Sequence, residues 1–351
     1  MPTTSEFLKD LEMAFRSFSP EDHSSVFRLI NMGLVMHNMG WWSRMGWYLR
    51  GLKEVVRNYK DEMPEDMRRA FRQAITYYSM SKKLIGDMDS LAALQKMRGV
   101  ERYGNPYMTY NSRRLFYEYL GHAPLAYKYL MRAVRVSGPE ARVLWVGCRR
   151  AFFLMCGGRD PSDYGIDVEN CDDEDLPEDP EIKEVREMTL LVRAHILSYA
   201  ALMGYLAPEG VIDTVLDRVR MGMDRNYDHI TLRILRAFIP VLLSVGRRAM
   251  ARGMVKSAVY TARTERSRYM YEWFRLYEMA LEGEGSGLKR RIERYMRRKY
   301  VSHEILARGI AARMGIEAKQ NRRVAEEKAK RYGGLCFLRI SEYLYGDRPR
   351  P

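Results

Sequence analysis

Arginine side chains in adjacent pairs give this sequence its clearest capacity for chemistry, which is the binding of phosphate groups. A guanidinium group carries a permanent charge and a planar fork of N–H donors that matches phosphate oxygens. Because the pairs fall in seven separate segments, they predict a long surface assembled by the fold. The pairs are Arg68-Arg69, Arg113-Arg114, Arg149-Arg150, Arg247-Arg248, Arg290-Arg291, Arg297-Arg298 and Arg322-Arg323.

The net charge of +14 conceals an internal division of the chain. Residues 160–187 contain thirteen acidic and two basic residues, so the rest of the chain carries a far larger positive excess. A chain that keeps its acids in one segment and spreads arginine over the remainder has the electrostatic pattern of a polyanion-binding protein. The alternative is that arginine serves only as a good helix former with a solvated head.

The segment that begins at Leu288 concentrates this pattern on one predicted helix. A step of about 100° per residue separates an apolar side from a basic side. The apolar side comprises Leu288, Ile292, Tyr295 and Met296. The basic side comprises Arg290, Arg294, Arg297 and Arg298. We expect the apolar side to pack on the body and the basic side to face phosphates, with an ordinary solvated face as the alternative.

Tyrosines interleaved with arginine predict base stacking beside the phosphate contacts. Residues 99–112 are expected to form a loop that carries three tyrosines, and aromatic faces next to guanidinium groups suit single-strand binding. Buried packing of the same tyrosines is the alternative. With the arginines, the full set of nucleic-acid-binding candidates is Arg68, Arg69, Arg72, Arg102, Tyr103, Tyr107, Tyr110, Arg113, Arg114, Arg149, Arg150, Arg247, Arg248, Arg290, Arg294, Arg297, Arg298, Arg322 and Arg323.

An apolar segment follows Gly333-Gly334 at the end of the chain and is a candidate assembly arm. Side chains of this size do not stay in water, because each one contributes about 1.5–3 kcal/mol on burial. Docking on its own subunit is one alternative, and docking head-to-tail on a neighbouring subunit is the other. The oligomerisation candidates are Leu335, Phe337, Leu338, Ile340, Leu344 and Tyr345.

Catalytic and metal-binding patterns are scarce in this sequence. His303-Glu304 has no second histidine at the spacing of a zinc protease, and the glycines at 283–287 fit neither a dinucleotide nor a nucleophile motif. The four cysteines lack metal-site spacing and read as reduced thiols. The run at 172–175 could hold Mg²⁺ or Mn²⁺, but a solvated acidic loop is favoured. We therefore expect no enzyme activity, no metal and no cofactor.

Local sequence signals favour helices along almost the whole chain. Prolines followed by acidic residues mark helix starts at Pro64, Pro180 and Pro208. We expect an all-α fold of about fourteen helices, with an acidic loop, a flexible joint at 283–287 and no helical solenoid, since no repeat of solenoid length is found. The expected architecture is a two-lobed helical body with a basic groove and an exchangeable C-terminal arm. Its predicted parts are two lobes (1–157 and 181–282), the acidic loop (158–180), a basic region (283–334) and the arm (335–351).

In layout, the chain resembles the nucleoproteins of segmented, orthomyxovirus-like negative-strand RNA viruses, of the kind that includes tilapia lake virus. The resemblance is carried by the seven arginine pairs, the basic region 289–331 and the apolar segment 335–345. It implies sequence-independent coating of viral RNA, self-assembly through an exchanged segment, and presentation of the genome to a polymerase. It also implies a place in the virion ribonucleoprotein and in the host cytoplasm or nucleus.

The sequence therefore predicts a non-enzymatic protein that coats single-stranded RNA without reading its bases and assembles with itself into rings or helices. The expected mechanism is electrostatic, because arginines that neutralise phosphates release counterions. A membrane partner is not expected, since no segment is long and apolar enough to span a bilayer. Two other classes are the alternatives, a basic viral matrix protein on anionic lipid and a metal-dependent nuclease that uses the acidic run.

Overall fold

The computed structural model describes residues 4–102, 105–137, 146–169, 171 and 183–345. Within these ranges the fold is all-helical, as the sequence predicts, with seventeen α-helices and no strand. The helices are α1 Thr4–Arg16, α2 His23–Met39, α3 Trp42–Asn58, α4 Glu65–Ser81, α5 Ser90–Glu101, α6 Pro106–Leu120, α7 Ala123–Val136, α8 Val146–Cys156, α9 Lys183–Met203, α10 Pro208–Asp224, α11 Asp228–Ser244, α12 Arg248–Thr264, α13 Arg268–Glu282, α14 Leu288–Arg297, α15 Val301–Arg313, α16 Ala318–Tyr332 and α17 Leu335–Tyr343.

Helices that are neighbours in the sequence pack as neighbours in space, and the second half of the chain does so in two layers. Helix α11 contacts α9, α10, α12 and α13. Every residue from His229 to Leu243 on α11 is buried, which marks it as an inner helix. Helix α12 instead buries only Ala251, Val255, Ala258 and Ala262, so most of its surface faces solvent. An inner helix needs apolar residues all round, whereas an outer helix needs only a stripe.

The stacking of α10 to α13 is regular, although the sequence shows no repeat. These helices begin at Pro208, Asp228, Arg248 and Arg268, a spacing of 20 residues. Between consecutive helices one residue adopts a left-handed conformation: Asn226, Gly246 or Arg266. The next residue then donates its N–H to the carbonyl five residues earlier, at 2.8–2.9 Å in each turn. This helix-ending turn recurs without a conserved sequence, because backbone hydrogen bonds define it.

The prediction of a loop at 99–112 is wrong for most of that range. Helix α5 continues to Glu101, and α6 begins at Pro106, so Tyr107 and Tyr110 lie on a helix. The reason is the pair Asn105-Pro106. The Asn105 side chain accepts the N–H of Met108 at 3.1 Å, and proline is favoured in the first helical turn. Residues 103–104 lie outside the described part of the chain, and so does the predicted contact of Tyr103.

Helix α17 packs into the core of its own chain, against α8, α9, α11, α15 and α16. Cys336, Phe337, Ile340 and Leu344 are buried, while Leu335, Leu338 and Tyr345 are half-buried. The Phe337 ring lies 5.5 Å from that of Trp273, and Cys336 Sγ donates to Cys156 Sγ at 2.8 Å. This is the intramolecular alternative that the sequence leaves open. Docking of the segment on a neighbouring copy stays a prediction.

The packing of α17 predicts a large loss of stability when its central ring is removed. Phe337→Ala should lower the free energy of unfolding by about 3–5 kcal/mol, because it deletes a buried aromatic side chain. Urea unfolding measures the loss, and Leu338→Ala, at a half-buried position of the same helix, is the control with a smaller expected effect. An unchanged unfolding free energy together with smaller oligomers would instead place α17 on a neighbouring copy.

Two carboxyl groups approach one another where α12 ends beside the start of α11. Asp228 is the first residue of α11, and Glu265 directly follows α12. Burial raises the pKa of Asp228 to about 6. Burial and then the charge of Asp228 raise the pKa of Glu265 to about 7, against the opposing effect of Arg44. Ionisation of this pair therefore opposes folding.

We expect Glu265→Gln to raise the melting temperature at pH 8 and to change it little at pH 5. A carboxyl with a raised folded pKa keeps its proton in the folded state after the unfolded state has lost it, so stability falls as pH rises. For Glu265 this window runs from its unfolded pKa of about 4 to its folded pKa of about 7. Glu282→Gln, at an exposed position, is the control, and equal shifts at both pH values would contradict the assignment.

Candidate nucleic-acid interface

Two of the predicted RNA-binding arginines, Arg114 and Arg149, point into the protein and converge on Glu118. Arg149 donates to a Glu118 carboxylate oxygen at 2.9 Å, and Arg114 and Arg233 also form ion pairs with this carboxylate. The Arg114 side chain is only 7% exposed, so it cannot reach a surface ligand. Glu118 thus holds both arginines inside the protein, and their predicted contact with RNA stays a prediction. Adjacent residues on a helix point in different directions, and an arginine pair does not reveal which member faces inward.

The Glu118 cluster joins α6, α8 and α11 through a single carboxylate. Burial by itself would raise the pKa of Glu118, but the charges of Arg149, Arg233 and Arg114 hold it well below its usual range. The carboxylate is consequently ionised at neutral pH. A buried ion cluster of this kind is costly to break, because the remaining charges have no other compensation.

Glu118→Gln should lower the free energy of unfolding by about 3–5 kcal/mol, since it leaves buried guanidinium groups without their carboxylate. Glu101→Gln is the matched control. Glu101 pairs with Arg113 at 2.7 Å, but both side chains are partly exposed, so a loss of about 1 kcal/mol or less is expected. Equal losses for the two variants in urea unfolding would show that the cluster is not the stronger structural element.

Five half-buried aromatic rings form a continuous row that joins α6, the start of α7 and the end of α16. Successive ring centroids are 4.5, 6.0, 5.6 and 6.5 Å apart. In order, the rings belong to Tyr332, His122, Tyr117, Tyr129 and Tyr110. Arg113 and Arg132 lie 5.2 and 5.5 Å from the centroid of Tyr129. The rings and arginines engage one another, so this row packs helices together and leaves few open faces for bases.

The apolar side of α14 is buried as predicted at Leu288, Ile292 and Tyr295. Met296 departs from the prediction, because its side chain is exposed and accepts a hydrogen bond from Arg308 Nη2 at 3.1 Å. A methionine at the edge of an apolar stripe can face either way, and an adjacent guanidinium group stabilises the outward position.

The basic side of α14 is divided between internal contacts and solvent. Arg294 donates to Glu272 at 2.8 Å, and Arg298 donates to the Met88 carbonyl at 3.2 Å. Arg290 and Arg297 are exposed and form no ion pair with the described residues. Only half of the predicted stripe is therefore free to bind a ligand without giving up a contact inside the protein.

A further arginine joins this stripe from the neighbouring helix. The pKa of Arg298 is lowered by partial burial and then by the charges of Arg268 and Arg294. Three guanidinium groups are thus close enough to repel one another at the surface where α13 and α14 meet. We call Arg268, Arg290, Arg294, Arg297 and Arg298 the arginine corner. Sequence reasoning missed Arg268, since it lies 22 residues before Arg290, the first arginine of the stripe, and no local pattern connects them.

Positive charge continues from the arginine corner to the aromatic row. Burial lowers the pKa of His122 to about 4, and the charges of Arg331, Lys299 and Lys328 act in the same direction. Lys299 directly follows Arg298 of the arginine corner. His122 is therefore uncharged at neutral pH within a cationic surface. An anionic ligand bound nearby would offset this repulsion.

The remaining predicted arginines are spread over several helices. Arg68 forms an ion pair with Glu65 at 2.8 Å, and Arg322 and Arg323 lie 3.7 and 3.8 Å from Glu326 and Glu327. Half-buried residues are Arg68, Arg72, Arg113 and Arg150. Exposed residues are Arg69, Arg102, Arg247, Arg248, Arg322 and Arg323. The exposed members supply positive charge at separate places on the surface.

Metal sites, membrane-spanning helices and cavities are features that other functional classes would use. No three His, Cys, Asp or Glu side chains among the described residues lie together in a way that could hold a metal ion. The acidic run at 172–175 lies outside those residues. No described helix has both the length and the apolar character needed to cross a membrane. A cavity of about 560 Å³ between α9 and α10 is lined by Leu190, Leu197, Val211, Arg193 and Arg218, among others.

Comparison with known proteins does not assign a function to this chain, so the evidence for one comes from the chemistry of its surface. No protein-family model matches the chain, and no curated protein matches it significantly. The likeness to viral nucleoproteins therefore depends on the layout of charge and apolar segments alone. Among the described surfaces, the arginine corner has the chemistry that most restricts the kind of ligand.

Proposed function

We propose that this protein binds single-stranded RNA through its exposed arginines, coats it without reading its sequence and assembles with itself on it, as a viral nucleoprotein. In this proposal the helical body has two lobes and a basic groove, and the exposed arginines lie along that groove. The assembled ribonucleoprotein would be the form found in the virion and presented to a viral polymerase. No catalytic step is part of the proposal.

The arginine corner is the observation that carries this proposal. Arg268 and Arg294 are near enough for their charges to lower the pKa of Arg298, against the opposing charge of Asp89, and the same helix α14 carries two more arginines that are exposed. A surface that holds like charges together is costly unless a ligand of opposite charge compensates it. A nucleic-acid backbone presents phosphates in a row and suits guanidinium donors. The only carboxylate paired with this group of arginines among the described residues is Glu272, which is 6% exposed.

Binding by phosphate neutralisation explains why no base-reading pattern is needed. Contacts to phosphate fix the position of a nucleic acid but carry no sequence information. Affinity should then be similar for different sequences and should fall steeply with salt, because each neutralised phosphate releases counterions. A matrix-type function on anionic lipid would use the same cations, and it would appear in the test as retention on anionic vesicles without RNA.

The double variant Arg290→Ala/Arg297→Ala should weaken binding to a single-stranded oligonucleotide and leave the melting temperature unchanged. Loss of two phosphate contacts should reduce the slope of log K against log salt by about 1.4, since each contact contributes about 0.7 on a single strand. Fluorescence anisotropy over a salt series measures both quantities. The cations removed are exposed and have no ion pair inside the described protein.

The matched control is Arg220→Ala/Arg225→Ala, which removes the same charge from α10 and the turn that follows it. Arg220 lies 3.3 Å from Asp217 and Arg225 lies 3.6 Å from Glu187, so both are partly compensated. Equal losses for the two double variants would mean that only net charge matters and that the arginine corner is not the site. Strong preference of the wild type for one RNA sequence would contradict a coating function.

A further inference from the structure

Helix α12 presents positive charge without any acidic residue. Between Arg248 and Thr264 the charged residues are Arg248, Arg252, Lys256 and Arg263, and all four are exposed. Helices on ordinary surfaces mix both signs, since pairs of opposite charge four residues apart stabilise a helix. Because α12 contains no acidic residue, it has no such pair within the helix. The sequence interpretation included only Arg247 and Arg248 from this region.

The four cations share one side of the helix. A step of about 100° per residue places them, together with Tyr260, within about 120° of arc, and residues four positions apart are separated by about 6 Å along the axis. The buried stripe of Ala251, Val255, Ala258 and Ala262 occupies another side and holds α12 against α11 and α13. Arg248, Arg252, Lys256 and Tyr260 therefore form a row that is inclined to the helix axis on the solvent side.

The cations of this row have few internal partners. Arg248, Lys256 and Arg263 form no ion pair with the described residues, and Arg252 reaches only the Leu281 carbonyl at 3.4 Å. A parallel row of small residues, Ala249, Gly253 and Ser257, lies beside them and is also exposed. No atom would contact a side-chain carbon added at Gly253, so a ligand can approach the helix closely at this point.

Tyr260 ends the row with an open aromatic ring. Its side chain is 72% exposed, more than any other large hydrophobic residue of the described chain. Among the described residues no aromatic ring packs on it and no cation lies over its face, in contrast to the row that contains Tyr129. An exposed ring with a free face is available for stacking on a nucleobase, and such stacking tolerates any base.

We propose that the solvent face of α12 is a second contact surface for single-stranded nucleic acid, with phosphates on Arg248, Arg252, Lys256 and Arg263 and one base stacked on Tyr260. This inference rests on the proposed function and extends it to a site of which the arginine pairs reveal only Arg248. A row of cations that ends on a ring fits a strand that offers phosphates and an unpaired base together. A duplex keeps its bases stacked inside and offers Tyr260 no face.

The test compares Tyr260→Ala and Tyr260→Phe in the full chain, with two probes of equal length. One probe is an oligouridylate, and the other is an abasic oligomer that keeps the phosphates and lacks the bases. Tyr260→Ala should weaken oligouridylate binding about fivefold or more, the lower range for one stacked base, and should leave abasic binding unchanged. Tyr260→Phe should retain wild-type binding, because the ring is kept. Tyr164→Ala, at another exposed tyrosine, is the control and should have no effect.

The outcomes separate this inference from the function on which it rests. If the wild type binds neither probe, the proposed function fails. If the wild type binds oligouridylate and Tyr260→Ala binds it equally well, the α12 site is wrong and the proposed function stands. If Tyr260→Ala loses the same affinity for both probes, the proposed stacking of a base on Tyr260 is wrong. Loss of anionic-vesicle binding but not of oligouridylate binding in Arg252→Ala/Lys256→Ala would assign α12 to a lipid surface and overturn the proposal.

Discussion

The ionised Glu118 carboxylate is the interaction on which the middle of this structure depends. Three guanidinium groups from three helices meet on it, and α11 brings one of them, Arg233, from the centre of the fold. The same α11 carries Arg236 one turn later, whose guanidinium lies 3.9 Å from the Trp273 ring centroid and 5.7 Å from that of Phe337. One buried helix thus connects the acid on α6 with the aromatic rings of α13 and α17.

This arrangement shows how a strongly cationic chain can form a core. Buried arginine is tolerable where a carboxylate or aromatic faces offset its charge, and both kinds of partner surround α11. Many of the remaining cations lie at exposed positions on outer helices, and several others pair with carboxylates such as Glu272 and Glu304. The second half of the chain therefore also sorts charge, since Arg233 and Arg236 on α11 have internal partners and the arginines of α12 are exposed. The positive surface is in this sense a consequence of how few acids the helical body contains.

Helices and several of their ends follow from the sequence, because they depend on local signals. Pro208 does begin α10, and the apolar positions Leu288, Ile292 and Tyr295 are buried. The sequence does not predict which way an individual arginine side chain points. Arg114 belongs to an arginine pair that is expected at the surface, yet its side chain is buried against Glu118. The sequence also does not predict the regular stacking of helices every 20 residues, because the turns between these helices are defined by backbone hydrogen bonds. Tyr260 has no distinctive neighbours in sequence, and only its exposure reveals it.

The two glycines before α17 show how composition can suggest the opposite of geometry. Gly333-Gly334 reads as a flexible joint, yet Gly333 has φ of 64°, and a side-chain carbon there would lie 2.9 Å from Pro124 Cδ. A carbon on Gly334 would lie 2.8 Å from Ile305, so both positions need glycine for close packing. Exchange of α17 between copies would reproduce the same buried contacts in the neighbour, and would gain little from them. In the proposed assembly, the driving force would then come from other contacts between subunits or from the RNA, because α17 is already packed within its own chain.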